Sequence, residues 1–255
     1  MTDIVLCDVS ERIATITLNR PEARNALSSE VLLVLPQRLR EVDADDAVDV
    51  IILTGTDPAF CAGLDLKELG STGANLGAGG AGGRGPFPDL AKPIIGAVNG
   101  PAITGGFELA LACDFLVASD RARFGDTHAR VGVMPGWGLT VLLPQAIGVR
   151  RAREMSYTGN FLTADEALQW GLVNHVVEHA DLVPFTRRLA LDIVSNDQRG
   201  VRQIRSTYAG VVGTTVDEGW QIERRDASAW MQQGVAPAEV ERRREAIRER
   251  GRSQT

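Results

Sequence analysis

Two stretches of this 255-residue chain run from a buried strand through a turn of small residues into a helix: "VIILTGTDPAFCAGLDLKEL" and "KPIIGAVNGPAITGGFELALACD". A strand, a glycine turn and a helix start together expose backbone N–H groups and the positive end of the helix dipole. Two such turns side by side could aim two donors at one oxygen, as in an oxyanion hole. Tight packing is the alternative use of either turn alone. Neither turn carries a full nucleotide fingerprint: "TGGFE" falls short of the dinucleotide pattern, and "GTDPAFCAG" lacks the Lys-Ser/Thr ending of a phosphate loop.

Glu108 is a carboxylate in the otherwise nearly wholly apolar "FELALACD", where it needs a partner or a function. His128, one of three histidines, lies in "FGDTHARVGVMPGWG" between a Phe-Gly and a Pro-Gly turn. It could act as acid or base near neutral pH, contact a ligand, or simply pack. Asp126 is a second acid two residues away. It shares the side of His128 if the segment is extended and not if it is helical. His175 and His179 fall beyond these stretches and are read as structural, and Lys92 as the start of the strand before Pro93.

The surrounding pattern is that of elements able to hold such a site. "IVLCDV" and "RIATITLNRP" alternate as a hairpin. Ser28 can cap a helix whose apolar face is Val31, Leu32, Leu35 and Leu39, with Pro36 expected to kink it. "VDVIILTG" and "KPIIGAVNG" are too apolar for strands with a wet face, and "FLVASD" is a further strand. The glycine-rich run at 70–85 reads as a mobile loop. "TADEALQWGLVNHVV" reads as a helix, a stop at Gly171 and a short strand. From 180 onward the chain is helical with breaks near Asn196, Gly213 and Gly234. This is an α/β core of residues 1–195, followed by an α-helical module, 196–255.

Net charge is −6, which disfavours nucleic acid or an anionic membrane as partner. No apolar run reaches the ~20 residues that span a bilayer. The N-terminus lacks a signal-peptide pattern, and three scattered cysteines suit neither a disulfide framework nor a zinc site. A cytoplasmic setting is expected. The terminal "AEVERRREAIRERGRSQT" is read as a solvated helix end.

Five blocks together resemble the crotonase family, the enoyl-CoA hydratase/isomerase superfamily: "LNRPEARNALS", "AFCAGLDLKEL", "KPIIGAVNGPAITGGFELALACDFLVAS", "ARFGDTHARVGVMPGWGLTVLLPQAIG" and "LTADEALQWGLVNHVV". The resemblance implies a spiral of repeated ββα units with a helical trimerisation module, and a trimer or a hexamer built as a dimer of trimers. It implies an acyl-CoA substrate, with no metal and no cofactor besides that thioester. By position, the amides of Leu64 and Gly105 would form the oxyanion hole, and Glu108 would match one of two catalytic glutamates. His128 stands where the second glutamate is usual, and a glutamate restored there is expected to raise hydration. Arg24 and Lys67 would lie near the CoA phosphates, the "CAGLDL" backbone, with Ala62 and Asp65, near the adenine, and Trp137 in the acyl pocket. Hydration of a trans-2-enoyl-CoA is the leading implication. A double-bond isomerase, which needs one base only, and a non-catalytic acyl-CoA binder are the alternatives. Trp220, Ile222, Trp230 and Met231 on a late helix are candidates for a subunit interface, because large apolar side chains are costly to leave in water.

Overall fold

The N-terminal alternation builds a hairpin in which β1 (Val5–Ser10) pairs antiparallel with β2 (Ile13–Leu18), and both turn residues, Glu11 and Arg12, take positive φ. That hand matches the twist of the strands. Arg12 is held by the buried carboxylate of Asp49. The protein is described here from a computed structural model covering residues 3–72, 85–234 and 237–253.

Helix α1 (Ser29–Ala44) starts where the Ser28 hydroxyl accepts the Val31 N–H at 3.3 Å. It buries Val31, Leu35, Leu39 and Val42, leaves Leu32 half-buried, and passes through Pro36 as one element. The next elements are β3 (Val50–Gly55), α2 (Leu66–Thr72), β4 (Ile94–Val98), β5 (Pro101–Ile103), α3 (Gly105–Leu111), β6 (Phe115–Ser119), β7 (Arg123–Gly125), α4 (His128–Val131), α5 (Leu139–Ile147) and α6 (Val149–Thr158). After them come β8 (Leu162–Thr163), α7 (Ala164–Trp170), β9 (His175–Val177), α8 (Leu182–Val194), α9 (Gln198–Val211), α10 (Val216–Gln232) and α11 (Pro237–Ser253). The helix breaks fall where the 180–255 pattern places them. Of the glycine-rich run, residues 70–72 finish α2, and 73–84 lie outside the described residues.

The large sheet has the order β1-β2-β3-β4-β6-β9, parallel apart from the hairpin. Consecutive strands then step to a second sheet, β5-β7-β8, with β5 parallel to β7. The chain alternates between the sheets (β4 to β5, β6 to β7), and α3 and α4 follow these strand pairs, giving the ββα spiral. The apolar run of β3 serves both faces of the large sheet. Ile51 and Leu53 join a core with Leu35, Leu39 and Phe107, while Val50 and Ile52 pack with Ile95, Val117 and the α8 residues Leu182 and Ala190.

Lys92 corrects a sequence reading. It does more than precede a strand: it is buried, and its ammonium donates to the carbonyls of Val42 at 2.7 Å and Asp45 at 2.6 Å. A cation is thereby fixed at the negative end of α1.

Residues divide into two compact units, Met1–Arg202 and Gln203–Thr255. Within the second, Thr215 and Glu218 form a reciprocal cap on α10, and the Thr207 hydroxyl donates to Asp226 at 2.8 Å.

Candidate active site

The two glycine turns meet. Cys61 bridges Ala102: its N–H donates to Pro101 O at 3.0 Å, and its carbonyl accepts from the Ile103 N–H at 2.9 Å. The contact admits no side chain on the facing residue. A Cβ on Gly106 would lie 2.1 Å from Cys61 O. Gly63, at φ +88°, would place a Cβ 2.7 Å from Ile103 O and 3.4 Å from the Gly105 nitrogen. Gly105 opens α3, so its N–H has no acceptor inside the helix. Leu64 sits in a parallel bridge to Leu27 in which Gly63 O and Asp65 N take Leu27's polar groups. Among the described residues neither the Leu64 nor the Gly105 N–H has a hydrogen-bond partner. Thr104, between the turn and α3, is held at φ 55° by its N–H bond to Gly125 O at 2.8 Å. That conformation is costly for a β-branched residue, and sequence carries no sign of it.

Glu108 lies one turn into α3 and is 3% exposed. Its Oε1 accepts the N–H groups of Trp137 at 2.8 Å and Leu139 at 3.4 Å, so the turn before α5 holds it as an acceptor. Its Oε2 lies 3.5 Å from Nε2 of His128, which is also buried. On the far side of the ring, Nδ1 is 2.6 Å from Asp126 Oδ1, and the same oxygen accepts the His128 backbone N–H at 3.1 Å. Burial opposes a charge on His128, but Asp126 and then Glu108 outweigh it and push the ring pKa up to about 9. Burial also works against the Asp126 carboxylate, yet hydrogen bonds from His128 and Ser156 hold it below the usual carboxylate range. These neighbours favour the protonated ring, whose Nε2 faces the Glu108 carboxyl group.

Trp137 is half-buried, with Cζ3 3.4 Å from where a Cβ on Gly105 would stand. Its ring thus lies beside the turn at Gly105, while its backbone anchors Glu108. Arg24 and Lys67 are exposed cations, and the Arg24 carbonyl accepts the Ala62 N–H at 3.0 Å. Asp65 is engaged locally: it accepts from Arg20 at 3.0 Å and from the N–H groups of Lys67 at 3.1 Å and Glu68 at 3.3 Å. Sequence reading passed over Arg20, whose guanidinium also ties to Ala26 O. It offered Asp126 only as a second candidate acid, because the local conformation that decides its direction was open.

Cys61 is buried, and its thiol is pushed up to about 12, far from a thiolate. His179 links the Ser119 hydroxyl to Asp57, both at 3.0 Å, and His175 packs on the Phe185 ring. Among the described residues no three His, Cys, Asp or Glu side chains converge as a metal site.

Comparison with known proteins finds similarity over most of the chain. A sequence model of the family described as "Enoyl-CoA hydratase/isomerase" matches residues 8–243. A probable peroxisomal enoyl-CoA hydratase 1 of Arabidopsis thaliana is 40% identical over 94% of this chain and 90% of its own length. A crotonyl-CoA hydratase of Syntrophomonas wolfei is 36% identical over 86% of each chain. Among solved structures, an enoyl-CoA hydratase from Mycobacterium smegmatis superposes with a TM-score of 0.77 at 47% identity, covering 91% of this chain and all of that one. One from Bacillus anthracis reaches a TM-score of 0.85 at 30% identity, covering 96% and 97%.

Proposed function

This chain belongs to the enoyl-CoA hydratase/isomerase family, and from that membership we propose that it adds water across the double bond of trans-2-enoyl-CoA thioesters. One observation carries the reading: Oε2 of Glu108, on the helix that begins at Gly105, lies 3.5 Å from Nε2 of His128, at the start of α4.

In this reading the thioester oxygen accepts from the Leu64 and Gly105 N–H groups. Each such donor is worth roughly 3–4 kcal/mol as the oxygen gains charge. A water held by Glu108 Oε2 and the His128 ring attacks the β-carbon. Its proton passes to Glu108, the double-bond electrons move toward the thioester as an enolate, and Nε2–H of His128 protonates the α-carbon. One O–H and one C–H bond of the product come from that water and that ring. Proton transfer from Glu108 back to Nε2 restores the pair. Trp137 bounds the acyl group beside Gly105. Arg24 and Lys67, both exposed, supply charge for the CoA phosphates, and the Ala62–Asp65 backbone receives the adenine. The thioester is substrate, and the reading calls for no other cofactor.

The same reading takes the chain to be a homo-oligomer, a trimer stacked as a hexamer, with residues 196–255 as the assembling module. Its support is Trp220, 59% exposed in the single chain, and Met231, 67% exposed. A cytoplasmic residence goes with it, supported by cysteines that are all free. Light scattering should return a multiple of the 27.4 kDa chain mass, and a monomer would refute the assembly. A panel of enoyl-CoA substrates tests the chemistry. Product heavier by one water supports hydration. Unchanged mass with a moved double bond would make the enzyme an isomerase, and binding without change a non-catalytic acyl-CoA binder.

A further inference from the structure

We propose that Asp126 is a positioning residue for the acid, holding Nδ1–H of His128 so that Nε2–H is presented beside Glu108. The inference rests on the hydratase reading for its chemistry, but its geometry stands independently. Asp126 lies in the turn between β7 and α4, and one oxygen of its carboxylate accepts twice from His128: the backbone N–H at 3.1 Å and ring Nδ1 at 2.6 Å. A turn of this kind needs only the backbone bond to close. The ring bond is additional, and it fixes both the tautomer and the ring plane.

A carboxylate offers no hydrogen, so Nδ1 is the donor. The second nitrogen must then be either a bare acceptor or a second donor. Across the ring, Glu108 Oε2 lies 3.5 Å from Nε2, and the other Glu108 oxygen is held by the Trp137 and Leu139 amides. Both neighbours of the ring are therefore acceptors, which selects the doubly protonated ring. The side chains of His128, Asp126 and Glu108 are 6%, 2% and 3% exposed, so water does little to screen them.

Around this cluster, α3 contributes Glu108, the β7–α4 turn contributes Asp126, and α6 contributes the neutral Ser156 hydroxyl, which bonds Asp126. Arg130, the cation of α4, turns away to Thr158 O and the Asn160 side chain. Among the described residues, the titratable side chains in contact with the ring are thus the carboxyl groups of Asp126 and Glu108. The logic is that of an orienting carboxylate behind a histidine, applied where a glutamate would need no orienter. During turnover the ring gives its Nε2 proton to the α-carbon and becomes neutral, still tied through Nδ1–H. Glu108, protonated by the attacking water, returns a proton to Nε2.

The test pairs two readouts on the wild-type protein and the D126N variant. One is a ¹³Cε1-histidine NMR titration, in which His128 is one of three signals. The other is the pH profile of kcat and KM on a short trans-2-enoyl-CoA. The wild-type ring should titrate near pH 9. D126N should lower that midpoint by at least about one pH unit, the scale for losing an adjacent opposite charge. The alkaline limb of kcat should move with it while KM stays within about threefold. An unmoved ring titration and limb overturns the inference, as does a uniform loss of kcat at every pH. Should D126N fail to fold, a wild-type His128 titrating near 6.5 overturns it. If the ring shifts but no substrate is hydrated, the positioning stands and the hydratase reading fails instead.

Discussion

Replacing Glu108 by Gln changes one atom at the centre of the site. In the native protein Oε1 accepts from Trp137 at 2.8 Å and Leu139 at 3.4 Å, and the glutamine carbonyl can keep both bonds. The amide nitrogen then occupies the Oε2 position, 3.5 Å from His128 Nε2. Two donors face each other there, and no base remains to take the proton of the attacking water. Loss of a positioned base typically costs 10²–10⁴-fold, about 2.7–5.5 kcal/mol of barrier at 1.36 kcal/mol per tenfold. The oxyanion amides are untouched, so KM should change little and kcat should carry nearly all the loss. Steady-state hydration of a short trans-2-enoyl-CoA, followed by loss of the conjugated thioester absorbance, measures both. Circular dichroism checks that the variant is folded. A folded variant with kcat within tenfold of wild type would refute the assignment of Glu108 as base.

Other outcomes follow from neighbouring contacts. Restoring a glutamate with H128E should lower activity at neutral pH, against the sequence expectation, because Asp126 Oδ1, now 2.6 Å from a ring nitrogen, would meet a second carboxylate. The D126N/H128E double variant should recover part of the loss in the same kinetic assay, and a single H128E variant faster than wild type would contradict this. Gly106→Ala should destabilise toward or beyond the upper end of about 1–3 kcal/mol in urea melts, since its Cβ would stand 2.1 Å from a backbone oxygen. Lys92→Met removes charged hydrogen bonds to Val42 O and Asp45 O and should cost about 1.5–3 kcal/mol in the same melts, with an unchanged midpoint as the refuting result. His128 is raised from 6.5 to about 9 in the fold, so its protonation stabilises the native state fully below 6.5 and that stability is lost as pH rises through about 9. Urea midpoints across that window should fall with pH more steeply for wild type than for H128Q.

Legibility of the fold tracked how local its causes are. β3 and β4 stand out because an apolar run buried on both faces is visible in the residues themselves. β5, β7 and β8 are two or three residues long and exist only through pairing with each other, so nothing within "PAI" or "RFG" announces a strand apart from the family resemblance. Glu108 was visible as a lone carboxylate among apolar neighbours. Asp126 was visible only as a second candidate acid; its direction, and so its bond to the His128 ring, depends on the conformation of the turn before α4. Lys92 was misread for a similar reason: its partners are carbonyls some fifty residues earlier in the chain. The glycine turns were legible as turns, but which glycine is pressed against which backbone became clear only where Gly106 meets Cys61.

The most direct test of the central claim is isotopic. The enzyme is given a trans-2-enoyl-CoA in water enriched in both ¹⁸O and deuterium, and the product is read by mass spectrometry and NMR. Hydration through Glu108 and His128 predicts one ¹⁸O at the β-carbon and one deuterium at the α-carbon. A product without ¹⁸O, or one in which the double bond is displaced rather than hydrated, would contradict the account.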